Sequence, residues 1–185
     1  MGTKAVAVAA LLFLPLPVHA QEKLRVTGGQ VSVHCPLTVG GSFEARTRAL
    51  SGEVGILSDI SQPLDGGLLV DLQTLETGIG LRDQHLRKKY LEVERGPAYS
   101  QARLRNIRVE RLSGKTPFHA ELMLHGQHQE ISGTADITPD AEGYRLVASF
   151  PMRVSEFGIP EPAYLGVGVT DEVLVRVTFN AEPVR

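Results

Sequence analysis

The sequence has no tryptophan, a single cysteine, four tyrosines and six phenylalanines in 185 residues. One cysteine cannot close an internal disulfide, so stability has to come from apolar packing. With so few large rings to fill its middle, a β-rich fold built on this composition leaves room for an internal cavity. There is no excess of positive charge either, with 19 Lys and Arg against 21 Asp and Glu and a pI near 6.3. A chain without a basic stripe is not expected to bind nucleic acid. Nor does it carry a G-x-S-x-G elbow, an H-E-x-x-H pair, a P-loop or a G-x-G-x-x-G turn, so no recognisable catalytic or nucleotide motif is present.

Spanning hydrophobic segments are missing too. The apolar run Ala5–Leu14 has ten residues, about half of the ~20 that a membrane-spanning helix needs. Lys4 precedes it, Pro15 and Pro17 break it, and Val18-His19-Ala20 ends in small residues. That is the pattern of a secretory signal peptide over residues 1–20, with a mature chain from Gln21. The alternative, an uncleaved anchor, suffers from the short length, so no stable membrane anchor is expected. The protein is therefore expected in the periplasm or secreted, as one domain over 21–185. Cys35, in Val31–Leu37 (VSVHCPL), reads as a buried small hydrophobe. A free reactive thiol or an intermolecular bridge remains open, as does a homodimer.

What is present is alternation. Leu24–Thr27 and Gln30–Val33 read as short extended pieces around Gly28-Gly29. Thr38–Leu50 alternates with Phe43, Ala45, Thr47 and Ala49 on one face, and Gly52–Ile60 continues as strand. Leu68, Val70 and Leu72 share the next inner face. From Ala98 to Leu112 the parity shifts between Leu104 and Ile107, which predicts a bulge near Asn106. Phe118, Ala120, Leu122 and Leu124 oppose His119, Glu121, Met123 and His125. Ile131, Gly133, Ala135 and Ile137 return, and Tyr144 to Val154 alternates most cleanly, with Ala148 and Phe150 inside. Val173, Val175, Val177 and Phe179 close the series. About eight antiparallel strands with frequent turns predict an all-β sandwich or barrel.

One stretch interrupts this pattern. Thr74–Leu91 leaves a strand, turns at Gly78 and Gly80, and becomes a short charged helix. Arg82 to Arg87 places four ionisable side chains in six residues. A lone helix in an all-β chain plugs, lids or braces something.

Leu72–Leu91, with its TG-x-x-x-RD-x-HLR core, Leu122–Gly126 (LMLHG), Glu156–Ile159 (EFGI) and Asp171–Phe179 (DEVLVRVTF) occur in an order and spacing that resembles the YceI-like family, also called polyisoprenoid-binding or lipid-binding. The likeness covers essentially all of the mature chain, although Val33–Phe43 (VHCPLTVGGSF) departs from the usual opening. The resemblance implies an antiparallel, eight-stranded, extended lipocalin-like β-barrel with one short helix. It also implies an elongated apolar tunnel for an isoprenoid, a quinone or another amphiphilic lipid, held without catalysis and without a cofactor.

Within that frame, Arg82, His85 and Arg87 are candidates for a charged head group, since guanidinium groups bind phosphate bidentately. Equally, Asp83 could cap the helix while Arg82 or Arg87 pairs with Asp71 or Glu76. The expected tunnel lining is Phe43, Leu68, Val70, Leu72, Leu86, Leu122, Ala135, Ala148, Phe150, Tyr164 and Val175. His119, His125 and His128 lack the carboxylate or thiolate that would complete a metal set. The loop Phe157–Gly168 either covers the barrel end or lines the ligand mouth. Two other classes stay open: an enzyme acting on such a lipid, which needs polar groups inside, and a filled-core interaction protein, which needs none.

Overall fold

A pair of glycines lets the first strand, β1 (Glu22–Pro36), serve three neighbours. In a computed structural model describing residues 22–57, 63–161, 163–164 and 167–184, β1 runs antiparallel to the last strand, β11 (Glu172–Pro183). Its other edge pairs first with β3 (Leu50–Ile56), through Glu22–Arg25, and then with β2 (Ser42–Thr47), through Val31–Pro36. The register shifts between Thr27 and Gln30, where Gly28 takes φ 59°. A Cβ on Gly29 would lie 2.7 Å from that of Leu50. The two short pieces expected around Gly28-Gly29 are therefore one strand with a bulge, which bends it across both partners.

The expected strand over Thr38–Leu50 is shorter: residues 38–41 form a turn, β2 holds only Ser42–Thr47, and Leu50 already opens β3. The hydroxyl of Thr47 accepts from the Ala49 amide at 3.0 Å, and the Ala49 carbonyl accepts from Asp71 N–H. This two-residue break resets the parity, so Leu50, not Ala49, takes the buried position.

The meander then continues through β4 (Asp65–Asp71), β5 (Gln101–Val109), β6 (Gly114–Leu124), β7 (Gln127–Asp140) and β8 (Gly143–Arg153). β8 pairs with β11, and β11 with β1, which closes the sheet. Counting β2 and β3 as one broken strand, this is an eight-stranded antiparallel barrel of the lipocalin-like kind. Closure leaves no long unpaired edge. The predicted bulge in β5 is present: the register against β6 shifts between Arg105 and Arg108, and Asn106 has φ 51°.

Between β4 and β5 the chain leaves the wall. It forms α1 (Gly80–His85), a wide π turn over Leu86–Tyr90, and two short helical turns at Val93–Arg95 and Pro97–Ser100. The excursion after β8 holds a small hairpin, β9 (Ala163–Tyr164) with β10 (Val167–Gly168). The expected signal peptide lies outside the described residues, as do Leu165 and the side chain of Tyr164.

His125 is not the outward partner of His119. It sits past the end of β6 with φ 52°, 8% exposed, and its Nδ1 lies 3.0 Å from the Phe157 carbonyl. Strand parity stops applying once the chain enters the left-handed turn, and the ring folds inward against Tyr99.

Candidate functional site

The inward faces of the strands do not meet in the middle. A cavity of about 630 Å³ occupies the end of the barrel beneath α1, and a smaller one of about 90 Å³ lies towards the other end. Leu68, Leu104, Phe150 and Val177 line both, and so form a waist between them. Phe150 is held there by an edge-to-face contact with Phe118.

Of the residues expected to line a tunnel, Phe43, Leu68, Val70, Leu72, Leu86, Leu122, Phe150 and Val175 line the larger cavity. Ala135 and Ala148 do not; they line the smaller one beyond the waist. Sequence parity placed them inside but carried no information about height along the barrel. Further lining comes from Val31, Val33, Leu91, Ala102, Met152 and Ile159, among others. Val31, Val33, Ala102 and Met152 are inner-face strand positions of the same alternation, whereas Leu91 comes from the lid and Ile159 from the excursion after β8, where strand parity gives no guide.

The lid is built from the segment Leu72–Leu91. Arg46 and Glu76 exchange backbone hydrogen bonds, so the chain leading to α1 covers the upper edge of β2. Asp83 is buried and accepts from both the amide and the hydroxyl of Thr77 at 2.6 Å. It therefore fastens the loop before the helix, while the N-cap position belongs to Ile79 without a side-chain cap. In the π turn, Leu91 N–H reaches back to the Leu86 carbonyl at 2.9 Å. The extra residue per turn brings Leu86, Tyr90 and Leu91 together over the cavity. The hydroxyl of Tyr90 donates to the Ala163 carbonyl and accepts from its amide, both at 3.2 Å, which pins the lid to the β9–β10 hairpin.

The three head-group candidates separate. Arg87 turns away from the cavity and donates to the Leu75 carbonyl at 3.1 Å. Arg82 and His85 both line the cavity. The Arg82 guanidinium lies 4.2 Å over the Phe43 ring, bridging lid and wall across the mouth. Stacking uses the face of a guanidinium and leaves its N–H edge for an acceptor. Neither arginine pairs with Asp71 or Glu76; Asp71 instead accepts from the Gln73 amide.

Elsewhere the cavity wall is almost wholly aliphatic, and among the described residues it includes no Asp, Glu, Lys or Ser. Cys35 contributes a thiol. Burial raises its pKa from an ordinary 9.0 to about 11, with the nearby Arg82 charge opposing the shift. A thiol held that far from ionisation is a poor nucleophile at neutral pH. No group of three or more His, Cys, Asp or Glu residues able to hold a metal occurs among the described residues. His128 pairs with Glu121 at 2.9 Å on the outer surface. The enclosure can hold an apolar tail and, at its mouth, one or two polar groups.

The barrel has counterparts among solved structures. A polyisoprenoid-binding domain from Saccharophagus degradans matches with a TM-score of 0.65 at 17% identity, over 89% of this chain and 100% of that one. BcnA of Burkholderia cenocepacia matches at 0.67 and 15%, over 82% and 94%. The YceI protein of Campylobacter jejuni matches at 0.58 and 14%, over 78% and 86%. At these identities the likeness is one of fold. No curated relative matches the chain by sequence. The family model for the YceI-like domain, however, matches residues 19–181, nearly the whole sequence. This chain belongs to the YceI-like family.

Proposed function

We propose that this protein is an exported, non-catalytic carrier that holds one amphiphilic lipid, tail inward, in the larger cavity. The observation that carries the reading is the cavity itself: about 630 Å³, lined mostly by apolar side chains, with ionisable Arg82 and His85 at its mouth. Similarity in fold to a polyisoprenoid-binding domain supports an isoprenoid-type tail. Export is supported by the charge, apolar run and small-residue pattern over residues 1–20.

The volume sets a scale for the tail. A methylene takes up about as much space as a water molecule does in the liquid, ~30 Å³. The larger cavity then accepts roughly twenty carbons, about four isoprene units. At ~0.8 kcal/mol per buried CH₂, that is on the order of 16 kcal/mol gross relative to water. Association and ordering costs come off that figure. The smaller cavity adds about three carbons, and only if Phe150 moves. Arg82 orients the head group, with pyrophosphate preferred over a neutral quinone because a guanidinium edge matches phosphate oxygens.

An uptake series tests this. Prenyl pyrophosphates of increasing length, and quinones with the same tails, are titrated into delipidated protein. Affinity is expected to rise up to about four isoprene units and then level off. Arg82→Ala should weaken the pyrophosphates about tenfold and the quinones little, as for one lost charge-assisted hydrogen bond. Arg87→Ala should weaken neither selectively. Equal losses for both ligand classes in Arg82→Ala would assign Arg82 to the lid's structure. No uptake at any length would remove the carrier reading.

A further inference from the structure

The larger cavity reaches the surface at a rim made by three elements: the turn Leu37–Gly41, the helical segment Ile79–Tyr90, and the β9–β10 hairpin. The turn is tied to the hairpin, since Thr38 N–H donates to the Gly168 carbonyl and Gly168 N–H to the Thr38 hydroxyl. The hairpin is tied to the helical segment through Tyr90. Each element raises bare aliphatic surface: Val39 is 67% exposed, Ile79 51%, Leu81 57% and Val167 36%. Ile79, Leu81 and Val167 line the cavity as well, so its apolar wall runs without a break onto the outer surface. Only two other large hydrophobics are exposed among the described residues, Leu174 and Val184. The concentration at the mouth is not what a free, water-facing rim requires.

The charge of this rim also differs from that of the whole. The chain is net negative, at −2. Yet Ile79–Tyr90 carries Arg82, Arg87, Lys88 and Lys89 against Asp83 alone. Asp83 is buried and already committed to Thr77. Lys89 is exposed, and Lys88 makes only a 3.2 Å surface pair with Glu94. Of the carboxylates on the flanking chain, Glu92 pairs with Arg95 at 2.7 Å and Glu94 with Lys88, while Glu76 precedes the helical segment and Glu161 precedes the hairpin. Aliphatic side chains beside lysines are the composition of a surface that sits at a bilayer interface with anionic headgroups.

Transfer of the ligand gives this surface a purpose. Each methylene that must cross water lowers the population of the transferring state about fourfold. A mouth pressed into the headgroup layer lets the tail move from bilayer to barrel without that crossing. We propose that the rim is a membrane-docking surface. Ile79, Leu81, Val167 and Val39 enter an anionic bilayer interface, while Lys88 and Lys89 meet its phosphates. The purpose assigned here rests on the carrier reading, but the docking itself can be measured independently.

Because the chain lacks tryptophan, Leu81→Trp supplies a single fluorescent reporter at the rim. Protein starting at Gln21, which contains every strand of the barrel, is mixed with vesicles of phosphatidylethanolamine and phosphatidylglycerol or of phosphatidylcholine alone. Docking predicts a blue shift and quenching by brominated acyl chains on the anionic vesicles. In co-sedimentation, Ile79→Asp with Leu81→Asp should abolish binding. Lys88→Ala with Lys89→Ala should weaken it about 25-fold, fivefold for each cation. Val184→Asp should change nothing, because Val184 lies beside Lys23 at the opposite end, next to the smaller cavity. Uptake of a soluble prenyl pyrophosphate is followed in the same proteins. Uptake without vesicle binding overturns docking and spares the carrier reading. Vesicle binding without uptake does the reverse. A dimer that Leu81→Asp disrupts, with no vesicle binding, would mean that a second copy covers the rim, and would overturn docking.

Discussion

Cys35 lines the larger cavity, and its surroundings decide its chemistry. Burial raises the pKa to about 11 and the Arg82 charge only partly offsets this, so the neutral thiol is the favoured form. A raised folded-state pKa means that the stabilisation is intact below the unfolded value near 9 and is lost as pH climbs through 11. Wild type should therefore lose stability relative to Cys35→Ala between those two values, by roughly 2 kcal/mol. Denaturant midpoints of both proteins across that window check it; parallel curves would place the thiol in contact with water. Gly133 works by a different kind of fit. A Cβ there would meet the Ser149 carbonyl at 2.2 Å and the Phe118 and Phe150 side chains at 2.8 Å. From sequence, Gly133 is an inner-face position with no side chain of its own. In the folded chain two rings use the space this leaves, because vacancy depends on what faces a residue and not on its own size.

At the scale of elements, the lid depends on one buried carboxylate. Asp83 holds the Thr77 amide and hydroxyl together, and no lysine or arginine pairs with it among the described residues. Asp83→Ala leaves those two donors unpaired and should cost about 2 kcal/mol, given the worth of hydrogen bonds to a charged group. Because the loss falls on the lid, amide exchange should quicken over Thr77–Leu91 more than in β6 or β7; uniform quickening would mean that lid and barrel open as one unit. The sequence showed this segment to be the exception in an all-β chain, and its charge density was plain. What each charge does was not. Arg82 and Arg87 lie five residues apart, yet one stacks on Phe43 at the mouth and the other reaches the Leu75 carbonyl. The π turn that follows α1 has no local sequence mark, so the phase of the helix could not be carried through it.

On the scale of the whole molecule, alternation alone was enough to give about eight strands, most of their inner faces and the β5 bulge, but it failed at the break after Thr47 and at the left-handed turn of His125. It left sandwich against barrel undecided, since closure is the pairing of β1 with β11, residues more than a hundred positions apart. The same limit explains why Ala135 and Ala148 were grouped with Leu122 and Val175. Parity says inside, and only the stagger of neighbouring strands says at which end. The finished barrel is polarised along its axis. One end is nearly filled around a 90 Å³ void, and the other keeps about 630 Å³ beneath a lid with apolar and cationic side chains at its edge. A filled-core protein has no need of that asymmetry.

Native mass spectrometry of protein purified without detergent from an exporting host tests the central claim most directly. The carrier account predicts a one-to-one adduct whose extracted mass is that of an amphiphile with a tail near twenty carbons. It should be lost when Leu122→Arg places a charge in the larger cavity, in protein that still shows a folded charge-state distribution. A protein that carries no adduct, and acquires none when offered prenyl pyrophosphates, quinones or fatty amides, would contradict the account.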